Sequence, residues 1–232
     1  MEVPETLFID GEALVVDKPA GLDVDTPKRG GFSLVSMLGA LRFGFHREPT
    51  AVHRLDRDTS GCLLLARHPK AHARFAKAFE DGTVEKVYLG ILDGIPERRE
   101  GTIALALAKQ SSKERGWRMI AAETGKSAVT HWRTVAESGG KALIEFRPET
   151  GRTHQLRAHA LYGLGIPLMG DPVYGEGTQT LLHASAIRVP REGKPPIAAR
   201  APLPAIFLQQ GFADPEPAIE PEPTAAPADA RS

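Results

Sequence analysis

The stretch HRLDRDTSGCLLLA, residues 53–66, sets a cluster of charge directly against an apolar run. Residues 53–61 hold two arginines, two aspartates, a histidine, a threonine and a serine. The run behind them has the length of a strand rather than a helix, and Gly61 precedes it, so a buried strand is predicted over 62–67. A second strand is predicted over 51–55. If it is extended, His53 and Leu55 share one face, and Arg54 and Asp56 share the other. Asp56 then stands at the end of a strand beside a buried element, with an arginine two residues before it. A carboxylate next to low-dielectric surroundings and cations is a candidate catalytic group. The plainer reading is a polar turn, since Thr-Ser-Gly is ordinary turn chemistry.

Working outward, strands are predicted at 6–9 and 12–17 around Asp10-Gly11, a hairpin signal. Further strands are predicted at 84–92, 101–108, 117–122, 127–136, 141–147, 181–189 and 196–201. Helical spacing occurs in 33–45, through Leu34, Met37, Leu38 and Leu41. It recurs from Pro69, near a helix start, to Gly82, past its end. A third helix is predicted over Thr153–Tyr162, with Thr153 as its cap and Gly163, Gly165 and Pro167 closing it. Many strands with few helices define an α+β class: one catalytic-type domain around a large, mostly antiparallel mixed sheet with a few flanking helices.

The chain has 232 residues, enough for one large domain. Its formal net charge is zero, with 29 basic and 29 acidic residues. The segment 211–232 is rich in Pro, Ala and Glu and carries five acids and one base, which leaves 28 bases and 24 acids in residues 1–210. A folded domain over 1–210 and a disordered acidic tail over 211–232 are therefore expected. The domain is mildly basic, which permits nucleic-acid binding without demanding it. Cys62 is the single cysteine, so no intrachain disulfide forms. The first residues lack the pattern of a signal peptide, and no stretch approaches a membrane span of roughly 18 apolar residues. A cytoplasmic monomer is expected.

Several motifs fail on inspection. TGKS at 124–127 resembles the end of a phosphate-binding loop, but Ile120 stands where that loop needs glycine, so no nucleotide cofactor is expected. His154 and His159 are five apart and point in different directions on a helix, so no metal site is expected. Tyr174, in GDPVYG, reads as packing for a glycine-rich turn. No carboxylate pair of the glycosidase kind is visible.

What remains is Asp56, Arg54, Arg157 and Tyr88, and on these the sequence resembles the RluA-type RNA pseudouridine synthases. HRLDRDTSG (53–61) is similar to that family's catalytic motif. LVVDKPAGLDV (14–24), KVYLGIL (86–92) and GRTHQLRAHALYGLGIPLMGDPVYG (151–175) resemble three more of its motifs. LLHA (181–184) and APLP followed by Phe207 resemble its closing segments. The resemblance runs in order from residue 12 to about residue 208.

The resemblance implies isomerisation of a uridine in structured RNA, transfer RNA or large-subunit ribosomal RNA, to pseudouridine, without a cofactor. It implies that Asp56 is the catalytic aspartate and Arg157 its pairing arginine. Tyr88 is implied to pack against the target uracil, and Arg54 to accompany flipping of the nucleotide. Asp25 stands where the family more often has histidine. An RNA-binding domain of the S4 type is not expected ahead of the catalytic domain. Basic residues at 98–99, 109–118 and 126 are candidates for a phosphate track. Two other readings stay open: a non-catalytic RNA-binding protein on the same fold, and a hydrolase of glycosidic bonds that uses Asp56.

Overall fold

The computed structural model describes residues 2–28, 30–112, 116–216 and 219. The main sheet runs in the order β1 (Glu5–Ile9), β2 (Ala13–Lys18), β4 (Ser60–Ala66), β11 (Leu182–Val189), β5 (Glu85–Leu92), β10 (Lys141–Pro148), β9 (Val129–Ser138) and β6 (Glu100–Ala104). Short β3 (Thr50–Ala51) pairs with β4, and β12 (Ile197–Arg200) with β11. The β4–β11 contact is parallel, and the other pairings are antiparallel. A separate hairpin joins β7 (Leu107–Ser112) to β8 (Gly116–Ala121). This is the α+β architecture the sequence predicts.

The apolar run CLLLA is continuous because β4 is covered on both faces. Cys62, Leu64 and Ala66 pack beneath α1 (Pro69–Glu80), against Ala71 and Phe75. Leu63 and Leu65 point the other way, onto Leu34, Met37, Leu38 and Leu41. That second cover is a 3-10 helix over Leu34–Leu41, shorter than the helix expected over 33–45. Gly61, the second residue of β4, has φ 103°, and a Cβ there would lie 2.2 Å from the carbonyl oxygen of Ala184. Only glycine lets β4 come this close to β11 directly behind the charged turn.

Three further expectations need correction. The strand over 51–55 stops at Ala51, because the His53 ring replaces backbone as the partner of the next strand: Leu64 N–H donates to His53 Nε2 at 3.1 Å. Residues 52–59 form a loop, closed by Thr59 N–H donating to the Asp56 carbonyl. The strand over 101–108 breaks at Leu105, whose carbonyl lies 3.1 Å from Nε2 of His159, so β6 joins the main sheet and β7 the hairpin. The helix α2 spans Gln155–Leu164, with His154 and not Thr153 at its N-cap, and Gly165 in the left-handed region ends it.

The domain boundary also moves. Phe212 is 2% exposed and packs with Leu89, Ile91, Leu143 and Phe207, the last on a short helix α3 (Ala205–Gln209) that the sequence reading missed. Arg200 binds Asp214 and the Pro215 carbonyl, and Ile219 is buried against Val87, Ala186 and Ala198. The fold therefore continues past residue 210. The disorder expected for 220–232 concerns residues outside the described set. Among the described residues, no helix is long and apolar enough to cross a membrane.

Candidate active site

The loop between β3 and β4, strand β5 and the start of α2 meet around a cleft of about 810 Å³, lined among others by Arg54, Asp56, Tyr88, His154 and Arg157. The structure brings together three of the four residues singled out from sequence. Arg157 Nη1 donates to Asp56 Oδ2 at 3.1 Å, and Tyr88 lies on the wall beside them. Arg54 also lines the cleft, but its side chain is 76% exposed and points to Asp25, with Nη1 3.1 Å from Oδ2. The residue that departs from the family pattern is therefore the partner of the exposed arginine.

Arg157 is held from behind. Its Nε and Nη2 donate to the two oxygens of Asp171 at 2.7 and 2.9 Å, a bidentate fork that leaves Nη1 aimed at Asp56. Asp171 is fully buried, and burial alone would push its carboxyl up. The hydrogen bonds and charge of Arg157, with the amides of Val173 and Tyr174, outweigh burial and hold it below the usual carboxylate range. Burial likewise works against the Arg157 cation, and the two carboxylates overcome it, so the guanidinium stays charged.

The loop that carries Asp56 is pinned by Lys18. This lysine is fully buried at the end of β2 and donates to the carbonyls of Pro19, Leu22 and Arg57 at 2.9, 2.9 and 3.0 Å. Burial lowers Lys18 to about 8, against the pull of Asp58, Asp23 and Asp56. Gly21 N–H donates to the same Arg57 carbonyl at 2.9 Å. Lys18 thus ties the family-like segment at 14–24 to the backbone next to Asp56.

His154 completes the wall. Its backbone is left-handed, at φ 52° and ψ 19°, an uncommon conformation for a residue with a side chain. The ring stands with Nδ1 3.2 Å from the Tyr174 hydroxyl and Nε2 3.9 Å from Asp56 Oδ2. Burial lowers its affinity for a proton, although Asp56 opposes that effect. Tyr174 accepts the Met119 N–H at 2.9 Å, so it joins the hairpin to the site as well as packing its turn. His159 turns elsewhere, to Thr130 and Leu105. Among the described residues, no group of three His, Cys, Asp or Glu side chains could hold a metal ion.

Tyr88 is partly buried between two apolar clusters, and burial first, then Asp56, pushes its hydroxyl above the ordinary value. It is a neutral flat ring at the pocket wall, suited to stacking rather than proton transfer. Asp171 and Lys18 escaped the sequence reading, which weighed His154 only as a metal ligand. Each lies inside a quoted motif, yet its role depends on partners distant in the chain.

The site thus sets a carboxylate, fixed by a guanidinium, beside an aromatic wall at the mouth of an open cleft. The comparisons name the class. Residues 12–162 match the family model described as RNA pseudouridylate synthase. The chain is 54% identical over 211 residues to an uncharacterized RNA pseudouridine synthase of Zymomonas mobilis, covering 89% of this chain and 96% of that one. It is 41% identical over 179 residues to the protein of the same organism named ribosomal large subunit pseudouridine synthase D, covering 74% of this chain and 56% of that one. The solved structure titled human RNA pseudouridylate synthase domain containing 1 superposes with a TM-score of 0.74 at 27% identity, covering 87% of this chain and 85% of that one. The chain belongs to the RluA-type family of RNA pseudouridine synthases, isomerases that convert uridine in RNA to pseudouridine.

Proposed function

We propose that Asp56 is the carboxylate that performs the isomerisation, with Arg157 as its charge partner, Tyr88 as the surface for the extruded uracil and Arg54 as the side chain that enters the vacated place in the RNA. The observation that carries this reading is the 3.1 Å contact from Arg157 to Asp56, at the edge of the cleft and beside Tyr88.

The reaction breaks the bond from uracil nitrogen to ribose and forms a bond from uracil carbon to the same ribose carbon. No electrons are gained or lost overall, and the ring proton displaced at carbon is balanced by one taken up at nitrogen. Attack on the ribose and proton abstraction that starts base release both need the same anion. The Arg157 guanidinium donates a charge-assisted hydrogen bond to that carboxylate and fixes it at the cleft. Flipping a uridine out of a stack costs a few kcal/mol, and stacking on Tyr88 with insertion of Arg54 offsets part of it. A pure RNA-binding module has no use for a buried Asp171–Arg157 fork that aims a third donor at Asp56.

The RNA is proposed to be transfer RNA or large-subunit ribosomal RNA. The ribosomal choice is supported by the 41% identity to the relative named for the large subunit. The test is to map pseudouridine in total RNA from cells with and without this protein. The reading expects a discrete set of uridines to lose the modification in its absence. Free uracil released from RNA, without pseudouridine, would point to a glycosidic hydrolase instead.

A further inference from the structure

The β7–β8 hairpin touches the site through one exposed aromatic ring that the activity has not used. Trp117 sits on β8 and is 36% exposed. Its ring stands edge-on to His154, with centroids 4.9 Å apart and planes at 79°. His154 lines the cleft and is in turn 3.9 Å from Asp56, so Trp117 lies one side chain away from the catalytic carboxylate. The Lys109 ammonium, on the facing strand, lies 5.7 Å from the centre of the Trp117 ring. The hairpin cannot swing freely, because Met119 N–H donates to Tyr174 at 2.9 Å, and Tyr174 contacts both His154 and Arg157.

A large aromatic ring costs free energy when exposed to water, unless a partner covers it. Here it is held rigidly beside a pocket for one nucleotide, with a cation at hand for phosphate. We propose that Trp117 is a nucleobase-stacking subsite, taking the base adjacent in sequence to the flipped uridine. Stacking is tolerant of base identity, so the subsite contributes affinity and register rather than a sequence code. The edge contact to His154 makes the occupied subsite report to the wall of the Asp56 pocket. The inference rests on the reading of Asp56 as the reacting group.

The test uses the full chain and a single-stranded decamer of uridylate as probe. The protein has two tryptophans, Trp117 and Trp132, and Trp132 is buried in the core. Binding should quench wild-type tryptophan emission. Trp117→Phe should abolish the quench while keeping affinity near wild type, because a smaller ring still stacks. Trp117→Ala should weaken binding about 5- to 150-fold, the range expected for loss of one stacked base, and raise KM on total RNA with kcat largely kept. Unchanged affinity in Trp117→Ala, or no binding or no quench in the wild type, would overturn the proposal. A purely structural role would lower the melting temperature of both variants and leave the affinity of folded Trp117→Ala at the wild-type value. Asp56→Asn should show the same quench as wild type, so the subsite stands or falls separately from the chemistry.

Discussion

Arg157 and Asp171 form a closed fork, Nε and Nη2 of the arginine on the two carboxylate oxygens at 2.7 and 2.9 Å, and this leaves Nη1 for Asp56. Asp171 is fully buried and Arg157 nearly so, while the Asp56 side chain is 31% exposed. The inner carboxylate therefore fixes the arginine, and the arginine fixes the outer carboxylate. Removing Arg157 strands a buried charge.

Arg157→Met should lose about 3–5 kcal/mol of stability, the cost of leaving one member of a buried pair, together with nearly all turnover. Arg157→Lys should rescue little of either, because a single ammonium cannot serve two carboxylates in fork geometry. Urea unfolding and single-turnover rates check both.

Asp171→Asn isolates the positioning effect. Asp56 keeps its arginine, but the arginine loses its charged anchor, so the rate should fall with a smaller stability loss than in Arg157→Met. The sign with pH is fixed by direction. Asp171 in the fold lies below its ordinary 3.8, so its stabilisation is fully present above that value and is lost as pH falls through the lower folded value. The gap in urea midpoint between wild type and Asp171→Asn should stay constant from neutral pH down to about 4 and close only below it. A gap that closes between pH 5 and 7 would contradict the pairing.

Lys18 gives a prediction on the alkaline side. It holds the Arg57 carbonyl next to Asp56, and burial lowers it to about 8. Losing its proton removes one of three donors, so turnover should fall as pH rises through about 8, with RNA controls for alkaline damage. Stability should move the opposite way. The folded value lies below the ordinary 10.5, so the unfolded chain holds more protons across that window and this group's contribution rises with pH. Lys18→Met should turn over slowly and lack this limb in its residual rate.

The C-terminal boundary can be cut directly. A chain ending at Gly211 loses Phe212, which is buried with Leu89, Ile91 and Phe207, and should drop about 3–5 kcal/mol in stability, as for a buried aromatic truncated in a core. A chain ending at Ile219 keeps these contacts and should melt with the full-length protein. Calorimetry of the two truncations decides it.

Much of this was legible in the sequence where the signal is local. The central strand shows as an unbroken apolar run because both its faces are covered, and α1 is bracketed by Pro69 and Gly82. Asp56 stood out because its loop concentrates charge beside that run. What was not legible depends on side chains taking over backbone partners across the fold. His53 accepts from Leu64 and ends β3 early, and His159 lies against the Leu105 carbonyl and splits one expected strand into two. The α2 start was misplaced because His154 adopts a left-handed backbone that no pattern of apolar residues encodes. Asp171 and Lys18 showed no role in the sequence, since Arg157 and the Arg57 carbonyl lie 14 and 39 residues away from them. Phe212 was lost in a Pro/Glu-rich composition that outweighs a single aromatic.

The central claim is that the Asp56 carboxylate performs the isomerisation. Asp56→Asn changes one oxygen to an amide nitrogen, keeps the shape, and removes both the nucleophile and the base. The measurement is mass-spectrometric quantification of pseudouridine in unmodified total RNA incubated with the purified variant, beside a binding titration on the same RNA. The account predicts no pseudouridine above background and an affinity close to that of wild type. Pseudouridine formed at the wild-type positions by Asp56→Asn would contradict it.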